Sequence, residues 1–215
     1  NWVPEWELSH CLPAAYEHWK ISRRVAWTMW EMDSVPDGSR LSEKAPFGDW
    51  PALINKHTER LIVPCRHNAE VFANCGVTKP ITTIPYGLDT ELWPYYERPE
   101  RDIFTVVLFG DLTVRKGPKE AFQAFQTAFR HQDDVRLILK SQHLHFGLGA
   151  SMPATGDPRV SFINAAWTRA QLVEFLHGAD AFIWPSRGEG FGLPPLQAAL
   201  TGLPVAMTTH TGMAE

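Results

Sequence analysis

The 215-residue sequence contains no apolar run that approaches the ~18 residues of a membrane-spanning helix. It also lacks a basic segment followed by an apolar one at its start, so no secretory leader is expected. Positive charge is not in excess, because the formal net charge is −4 at pH 7, and this argues against general binding to nucleic acid or to anionic membranes. These absences predict a cytoplasmic protein with no transmembrane segment and no nucleic-acid partner, while peripheral contact with a membrane stays open.

Cysteine is scarce, and the three that are present do not have the spacing of a metal site. Cys11, Cys65 and Cys75 are odd in number, and reduced thiols are their simplest interpretation. His143 and His145 share one side of an extended segment, but no third ligand follows at a recognisable spacing. Polar loop histidines are therefore the better interpretation of this pair, and no metal is expected.

The rest of the composition is that of a globular protein, with 44% hydrophobic and 20% charged residues. The length suits one large domain or two small ones, with enough residues to bury a core. Nine tryptophans are many for this length. Their faces can stack on sugar rings, but large aromatic side chains are more often core and interface material.

Short apolar runs alternate with longer amphipathic ones from about residue 25 onward. This alternation is typical of β-α-β units and of a parallel sheet. The preceding stretch, 1–22, is mainly helix-like. The pattern predicts strands at 25–30, 60–64 and 81–84 and helices at 51–57 and 68–75. The front lobe therefore has about three strands and is expected to be incomplete.

Three prolines and a run of charged and tyrosine residues interrupt the alternation at 85–102, which predicts a junction between two lobes. Phe122, Phe125 and Phe129 then form one apolar helix face for packing on a sheet. The second alternation predicts strands at 104–109, 135–140, 160–163, 181–184 and 205–208 and helices at 118–129, 168–177 and 194–200. The predicted organisation is an N-terminal lobe at 1–88, a linker at 89–102 and a C-terminal lobe at 103–215.

The glycine-rich segment at 187–197, Arg-Gly-Glu-Gly-Phe-Gly-Leu-Pro-Pro-Leu-Gln, is the most informative part of the chain. Its three glycines let the backbone approach a ligand closely. A helix beginning near Pro194 would direct unpaired N–H groups at that ligand, which favours an anion such as a phosphate. Glu189 precedes the turn and Gln197 lies in the first helical turns. This arrangement favours a sugar nucleotide.

A second loop, at 109–118, follows a predicted strand and precedes a helix. Arg115 and Lys116 stand just before Pro118, which suits the first helical position. A guanidinium can bind phosphate oxygens with two parallel hydrogen bonds, whereas an ammonium acts as a point charge. A solvated Arg-Lys pair is the plain alternative. Because ligands of doubly wound sheets bind beyond the carboxyl ends of the strands, both loops are expected to reach one diphosphate. Two cations and a helix N-terminus would stabilise the leaving diphosphate, so no metal is needed for this step.

These residues resemble glycosyltransferase family 4, whose GT-B fold consists of two facing Rossmann-like domains. The resemblance runs from about Trp27 to Glu215. It rests on the Arg-Lys-Gly loop, Pro185-Ser186, the Glu-Gly-Phe-Gly-Leu-Pro loop, the Gly-Leu-Pro-Val run that starts at Gly202, and the Pro-Tyr-Gly-Leu-Asp turn that starts at Pro85. It implies an α/β protein of the GT-B type, with two Rossmann-like lobes that contain parallel sheets. The front lobe, at 1–88, would be incomplete and would bind the acceptor. The lobe at 103–215 would bind the nucleotide sugar.

The resemblance also implies the reaction and the residues that carry it. The family transfers a sugar from a nucleoside-diphosphate donor with retention and without a metal, so no cofactor is implied beyond the donor substrate. Arg115 and Lys116 would bind the donor diphosphate and stabilise its departure. Glu189 matches the first acidic residue of the family's Glu-x7-Glu motif and would face the donor sugar. The acceptor is left unknown: a glycan, a lipid or a small molecule.

The donor-binding set implied by the resemblance contains Gly110 and the backbone of Phe191, Gly192 and Leu193. It also contains Gln197, which stands where the family has a second glutamate that holds the ribose hydroxyls. A glutamine carbonyl accepts one hydroxyl hydrogen bond without charge assistance, and a loss of ~1 kcal/mol weakens donor binding about fivefold. We expect a handicapped donor site rather than an inactive one.

Other features of the sequence keep alternatives open. The family's glycine-rich acceptor loop and the histidine near the donor sugar find no match in the front lobe. Glu31 follows a predicted strand and could face the site, although a solvated or capping carboxylate is at least as good an interpretation. A non-catalytic protein that binds a nucleotide sugar is the main alternative. A third alternative, an NAD-dependent oxidoreductase, is disfavoured, because it needs a Gly-x-Gly-x-x-Gly turn at the position where this chain has Arg115 and Lys116.

Overall fold

The computed structural model describes residues 5–18, 23–36, 48–142 and 156–215. The chain forms two compact units. The first comprises Asn1–Gly87, Gly188–Phe191 and His210–Glu215, and the second comprises Leu88–Arg187 and Gly192–Thr209. The sequence-based division instead places 188–191 and 210–215 in the C-terminal lobe and separates 89–102 as a linker. The assignment of an acceptor-side and a donor-side lobe stays a prediction.

The first unit contains a parallel four-stranded sheet of order β1-β2-β3-β4. Its elements are β1 (Glu7–His10), a 3-10 turn (Pro13–His18), β2 (Arg24–Trp27), α1 (Trp50–His57), β3 (Arg60–Val63), α2 (Arg66–Asn74), β4 (Ile81–Thr83) and a 3-10 turn (Thr211–Met213). Trp50, Ile54, Leu61 and Phe72 are fully buried and belong to its hydrophobic core. Burial of one such side chain contributes about 1.5–3 kcal/mol to stability.

Two expectations for this unit are wrong. The stretch 1–22 was expected to be mainly helical, but its described part contains strand β1 as well as a six-residue 3-10 helix. The front lobe was expected to have about three strands, and the described residues contain four. Both differences have one physical reason, which is that β1 is a four-residue strand defined by its pairing with β2. Glu7 lies opposite Arg24 and His10 lies opposite Trp27. So short a strand leaves little periodic pattern in the sequence.

The second unit contains a parallel five-stranded sheet of order β7-β6-β5-β8-β9. Val107, Leu137, Leu139 and Phe182 are fully buried on these strands. The elements are β5 (Phe104–Phe109), α3 (Pro118–Ala128), β6 (Val135–Ser141), β7 (Val160–Asn164), α4 (Arg169–His177), β8 (Ala181–Trp184), α5 (Leu193–Leu200) and β9 (Val205–Met207). The predicted alternation is thus present, with ends that differ by at most one residue.

Local chemistry explains where the helices begin. Asp49 accepts a hydrogen bond from the Ala52 backbone N–H at the start of α1, and Thr168 forms a reciprocal capping box with Gln171 at the start of α4. Of the three phenylalanines predicted to form an apolar face of α3, Phe125 is buried, whereas Phe122 and Phe129 are half-buried. None of the helices in the described ranges has the length and apolarity needed to cross a membrane.

Candidate functional site

The two predicted phosphate loops follow neighbouring strands of the second unit. Val106 of β5 pairs with Ala181 of β8 in parallel register, so the loops after these strands leave the same edge of the sheet. The Arg187 backbone N–H donates to the Arg115 carbonyl at 2.7 Å, and the Ser186 hydroxyl donates to the same carbonyl at 3.4 Å. The structure therefore brings the Arg115 backbone against the chain that follows β8.

Gly117 interlocks the two loops. It has φ +68°, a left-handed conformation that favours glycine. A Cβ added at this position would lie 2.3 Å from the Pro185 carbonyl oxygen. The close approach of these two backbones therefore requires glycine, and it fixes the turn that presents Arg115 and Lys116.

Trp184 forms the floor beneath the cation loop. Its side chain is fully buried, and the Lys116 Nζ lies 4.9 Å from the centroid of its ring. Such an ammonium–ring contact contributes about 0.5–2 kcal/mol. Lys116 itself is only 9% exposed. A Cβ on Gly110 would lie 2.9 Å from the same ring, so Gly110 is required for the loop to cross Trp184.

The start of α5 offers fewer unpaired backbone N–H groups than the sequence predicts. The helix begins at Leu193, one residue earlier than expected, after Gly192 with φ +85°. Pro194 and Pro195 occupy the next two positions and carry no N–H group. The expected group of unpaired amides is therefore reduced to those of Gly192 and Leu193. Gln197 lies half-buried one turn further into the helix.

Segment Gly188–Phe191 belongs to the first unit, so the structure places Glu189 and Phe191 in a different unit from Arg115 and Lys116. Glu189 is 5% exposed. Its backbone N–H donates to the Thr211 hydroxyl at 3.0 Å, and its carbonyl accepts from the Gly212 N–H at 2.9 Å. Thr211 has φ +56°, an unusual value for a β-branched residue. A non-local contact thus stabilises a strained residue beside Glu189.

Asn68 holds the same segment from the other side. It is fully buried, and its amide oxygen accepts from the Trp30 backbone N–H at 2.7 Å. Its Nδ2 donates to the Trp30 carbonyl at 3.0 Å and lies 3.4 Å from the Gly190 carbonyl. Burial raises the pKa of the Cys65 thiol, which therefore stays protonated and donates to the Gly190 oxygen at 3.3 Å.

Replacing Asn68 with alanine is expected to lower the free energy of unfolding by about 2–4 kcal/mol, because the backbone N–H and carbonyl of Trp30 lose their partner and the Gly190 carbonyl loses one of its two donors. Urea denaturation measures this change. Asn74→Ala is the matched control: the residue lies exposed at the end of the same helix, and a change within ~0.5 kcal/mol is expected there. Equal losses in both variants would contradict the role assigned to Asn68.

The last residue of the sequence contributes to the first unit as well. The Glu215 carboxylate accepts from the backbone N–H groups of Arg66 and His67 at 2.9 and 2.7 Å. These are the first two residues of α2, whose preceding residue, Cys65, makes no side-chain cap. A carboxylate at a helix N-terminus is favoured by unpaired amides and by the helix dipole. Segment His210–Glu215 is thereby connected to α2.

Sequence reasoning missed Trp184, Asn68 and Thr211 as residues that shape the site. Trp184 was assigned to a strand only, and a local pattern gives no sign of the Asn68 and Thr211 contacts. Glu31 lies in the first unit, where a Cβ on Gly188 would be 2.1 Å from its carbonyl oxygen. The backbone of Glu31 is thus a packing partner of the glycine-rich segment. The histidine pair at 143 and 145 lies outside the described residues.

A cavity of about 560 Å³ lies elsewhere in the second unit, along α4 and the chain at 91–101. Its lining contains Tyr96, Arg101, Arg169 and His177 but none of the predicted site residues. Arg101 pairs with Asp180 at 2.7 Å. The predicted site residues therefore lie outside this cavity.

Comparison with protein families finds that the family described as "Glycosyl transferases group 1" matches residues 103–215. Among curated proteins, a glycogen synthase of Mycobacterium tuberculosis is 28% identical over 143 residues, which are 63% of this chain and 33% of that protein. A GDP-mannose:cellobiosyl-diphosphopolyprenol alpha-mannosyltransferase of Xanthomonas campestris is 25% identical over 149 residues, 67% of this chain and 38% of that protein. The aligned part is thus about a third of the length of these relatives.

Solved structures of similar fold include a sucrose-phosphate synthase from Thermosynechococcus elongatus, with a TM-score of 0.70 and 15% identity over 97% of this chain and 57% of that one. An alpha,alpha-trehalose 6-phosphate synthase from Burkholderia multivorans gives a TM-score of 0.71 and 12% identity over 97% and 57%. The predicted α/β fold of the GT-B type, with parallel sheets, is confirmed. At these identities the likeness concerns the fold alone.

Proposed function

Since this chain belongs to the glycosyl transferases group 1 family, we propose that it transfers a sugar from a nucleoside-diphosphate donor to an acceptor, as glycosyltransferase family 4 does. The bond between the anomeric carbon and the diphosphate oxygen breaks, and a bond to an acceptor hydroxyl oxygen forms. The released diphosphate takes up the hydroxyl proton. The transfer retains the anomeric configuration and uses the protein's own cations instead of a metal.

The main support for the proposal is the contact between the loops that follow β5 and β8. Arg115 and Lys116 stand on a turn fixed by Gly117 and Pro185, and the Lys116 ammonium lies over the buried Trp184 ring. Cations that are positioned before the reaction stabilise charge on a leaving group without reorganisation, and they act more strongly where water is scarce. In this proposal they bind the diphosphate of the donor and stabilise it as it leaves.

Arg187 has a different role from these two cations. Its guanidinium donates to the Val114 carbonyl and forms an ion pair with Glu120. It therefore connects the chain after β8 with the loop after β5 and with α3. We assign it to holding the loops rather than to donor binding.

Gln197 favours a second candidate function, a protein that binds a nucleotide sugar without transferring it. The residue occupies the position of a ribose-binding glutamate in the resemblance, and it lies half-buried on α5. A weaker ribose contact reduces donor affinity without removing the phosphate contacts. This candidate predicts donor binding without turnover.

A panel of nucleoside-diphosphate sugars tests both candidates on the 215-residue chain. Thermal stabilisation measures donor binding, release of the nucleoside diphosphate measures turnover, and proton NMR of the product gives its anomeric configuration. Binding with sugar transfer and retention supports the enzyme. Binding without transfer supports the second candidate, and the absence of binding to every donor overturns both.

Replacing Gln197 with glutamate is expected to tighten binding of the preferred donor about fivefold, because a charge-assisted hydrogen bond to a ribose hydroxyl gains ~1 kcal/mol over a neutral one. Calorimetric titration measures the dissociation constant. Gln123→Glu, on the exposed side of α3, adds the same charge elsewhere as a control. Unchanged or weaker binding in Gln197→Glu would refute the ribose assignment.

A further inference from the structure

Four ring side chains form a continuous cluster in the first unit. His10 and Trp27 are the last residues of β1 and β2, and their ring centroids lie 5.5 Å apart. Tyr86 stacks on Trp27 with an interplanar angle of 9° and a centroid distance of 5.7 Å. Phe191, from the glycine-rich segment, meets Tyr86 edge-on at 5.4 Å. The cluster therefore connects the carboxyl ends of β1 and β2 with the segment that carries Glu189.

The course of the chain after β4 places this cluster on the edge of the sheet. Strand β3 lies between β2 and β4, so Tyr86 reaches Trp27 only by passing the end of β3. The Ile84 N–H donates to the Val63 carbonyl at 2.9 Å, at the last residue of β3. The rings thus cover the carboxyl end of a parallel sheet, which is where ligands bind in folds of this type.

The cluster differs from the core of the same unit in its exposure. Trp50 and Phe72 stack on each other and are both fully buried, as core rings are. In contrast, Trp27, Tyr86 and Phe191 are half-buried. Rings that are partly open to solvent and lie beside polar groups are suited to binding a ligand with both an apolar face and hydroxyls.

Polar atoms lie at the rim of these rings. The His10 Nε2 and the Tyr86 hydroxyl are 3.2 Å apart, and His10 is exposed. Burial raises the pKa of the Tyr86 phenol, so it stays protonated and able to donate. The Trp27 Nε1 is buried and has no hydrogen-bond partner within the described residues, so Trp27 offers its ring, while His10 and Tyr86 supply the polar atoms. A pyranose combines an apolar C–H face with a rim of hydroxyls, and it matches this combination of ring faces and polar edges.

We infer that the cluster of His10, Trp27, Tyr86 and Phe191 binds a pyranose ring of the acceptor, and that the acceptor is a glycan rather than a lipid or a small aromatic alcohol. The inference rests on the proposed function. Phe191 belongs to the segment of Glu189, which the resemblance to glycosyltransferase family 4 places at the donor sugar, so a ring held by the cluster lies beside the transferred sugar. The Arg115 and Lys116 cations, which bind the donor phosphates in the proposal, belong to the second unit.

Tyr86→Leu tests the inference, because leucine keeps an apolar side chain but has no ring face. Transfer is measured with the preferred nucleotide sugar and three kinds of acceptor: neutral di- and oligosaccharides, a polyprenyl phosphate and a nitrophenol. We expect transfer to saccharides. In Tyr86→Leu the KM for the saccharide rises about tenfold or more, whereas the KM for the donor changes less than twofold. Trp6→Leu is the control, since Trp6 is an exposed ring that lies against Arg23 in the same unit, and it leaves both constants unchanged.

Two outcomes of this kinetic test overturn the inference. A rise in the donor KM with an unchanged saccharide KM means that the rings hold the transferred sugar instead. Transfer to the polyprenyl phosphate or the nitrophenol, with none to saccharides, means that the acceptor is of another class. Both outcomes leave the proposed sugar transfer standing, because the donor is consumed in each.

Saturation-transfer NMR with the saccharides alone tests binding independently of turnover. We expect transfer from the protein to the sugar protons in the wild type and in Trp6→Leu, and its loss in Tyr86→Leu. Absence of transfer in the wild type overturns the inference, even where donor binding persists. Saccharide binding without binding of any nucleotide sugar instead overturns the proposed function, so the two failures are distinguishable.

Discussion

Replacing Lys116 with methionine is expected to lower kcat for sugar transfer by about 10²- to 10³-fold, the loss typical of removing one group that stabilises charge in the transition state. Methionine keeps an unbranched apolar side chain against the Trp184 ring, to which the Lys116 Nζ is 4.9 Å distant. The ammonium is largely shielded from water, so its interaction with a departing diphosphate is screened less than at an exposed site. Steady-state release of the nucleoside diphosphate measures the effect.

Lys119→Met is the matched control for this experiment. Lys119 lies exposed in the first turn of α3, three residues after Lys116, and its loss is expected to change kcat less than twofold. If the chain binds donors without transfer, the same pair of variants is compared by donor dissociation constant, with a loss of tenfold or more at Lys116 alone. Equal behaviour of the two variants would refute the role assigned to Lys116.

Replacing Gly117 with alanine is expected to lower the free energy of unfolding by about 2–5 kcal/mol. The left-handed conformation costs a non-glycine residue about 1–2 kcal/mol, and overpacking costs about 1–3 kcal/mol more. The new Cβ would lie 2.3 Å from the Pro185 carbonyl oxygen, and backbone atoms cannot move aside as a flexible side chain does. Differential scanning calorimetry measures the change, with Tm falling by about 2–4 °C for each kcal/mol.

Gly156→Ala controls for the general effect of a glycine substitution in the same unit. Its φ is not in the left-handed region, and an added Cβ would meet no atom of the described residues within 4 Å, so the change is expected to stay within ~0.5 kcal/mol. Gly117→Ala should also weaken donor binding, because the turn that carries Arg115 and Lys116 must shift. A destabilised variant with unchanged donor affinity would show that this turn does not position the cations.

Most helices and strands were predictable because their signals are local. Strand β5 and strand β8 have the predicted bounds, and Thr168 marks the start of α4 through a side chain three residues from its partner. In contrast, β1 was missed. Its four residues form a strand because β2 lies beside them, and pairing across thirteen intervening residues leaves no periodic pattern for sequence reasoning to detect.

The roles of Arg115, Lys116, Glu189 and Gln197 remain predictions, and the structure limits how they can act. The sequence indicated that both loops follow strand ends, and the register of β5 with β8 brings the Arg115 and Arg187 backbones into contact. Gly192 and Leu193 are left to supply the amides of α5, because prolines occupy the next positions. The small number of backbone amides at the start of α5 could be read from the sequence, since proline has no N–H group.

The sequence by itself determined the alternation of strands and helices, the two loops with their glycines and cations, and the family of residues 103–215. Only the tertiary structure decided that Gly188–Phe191 belongs to the unit of Asn68 rather than to that of Arg115. It also decided that Tyr86 crosses β3 to stack on Trp27. The physical reason is range: turn chemistry and periodicity act over a few residues, whereas Asn68 and Gly190 are 122 residues apart and meet through the packing of the whole unit.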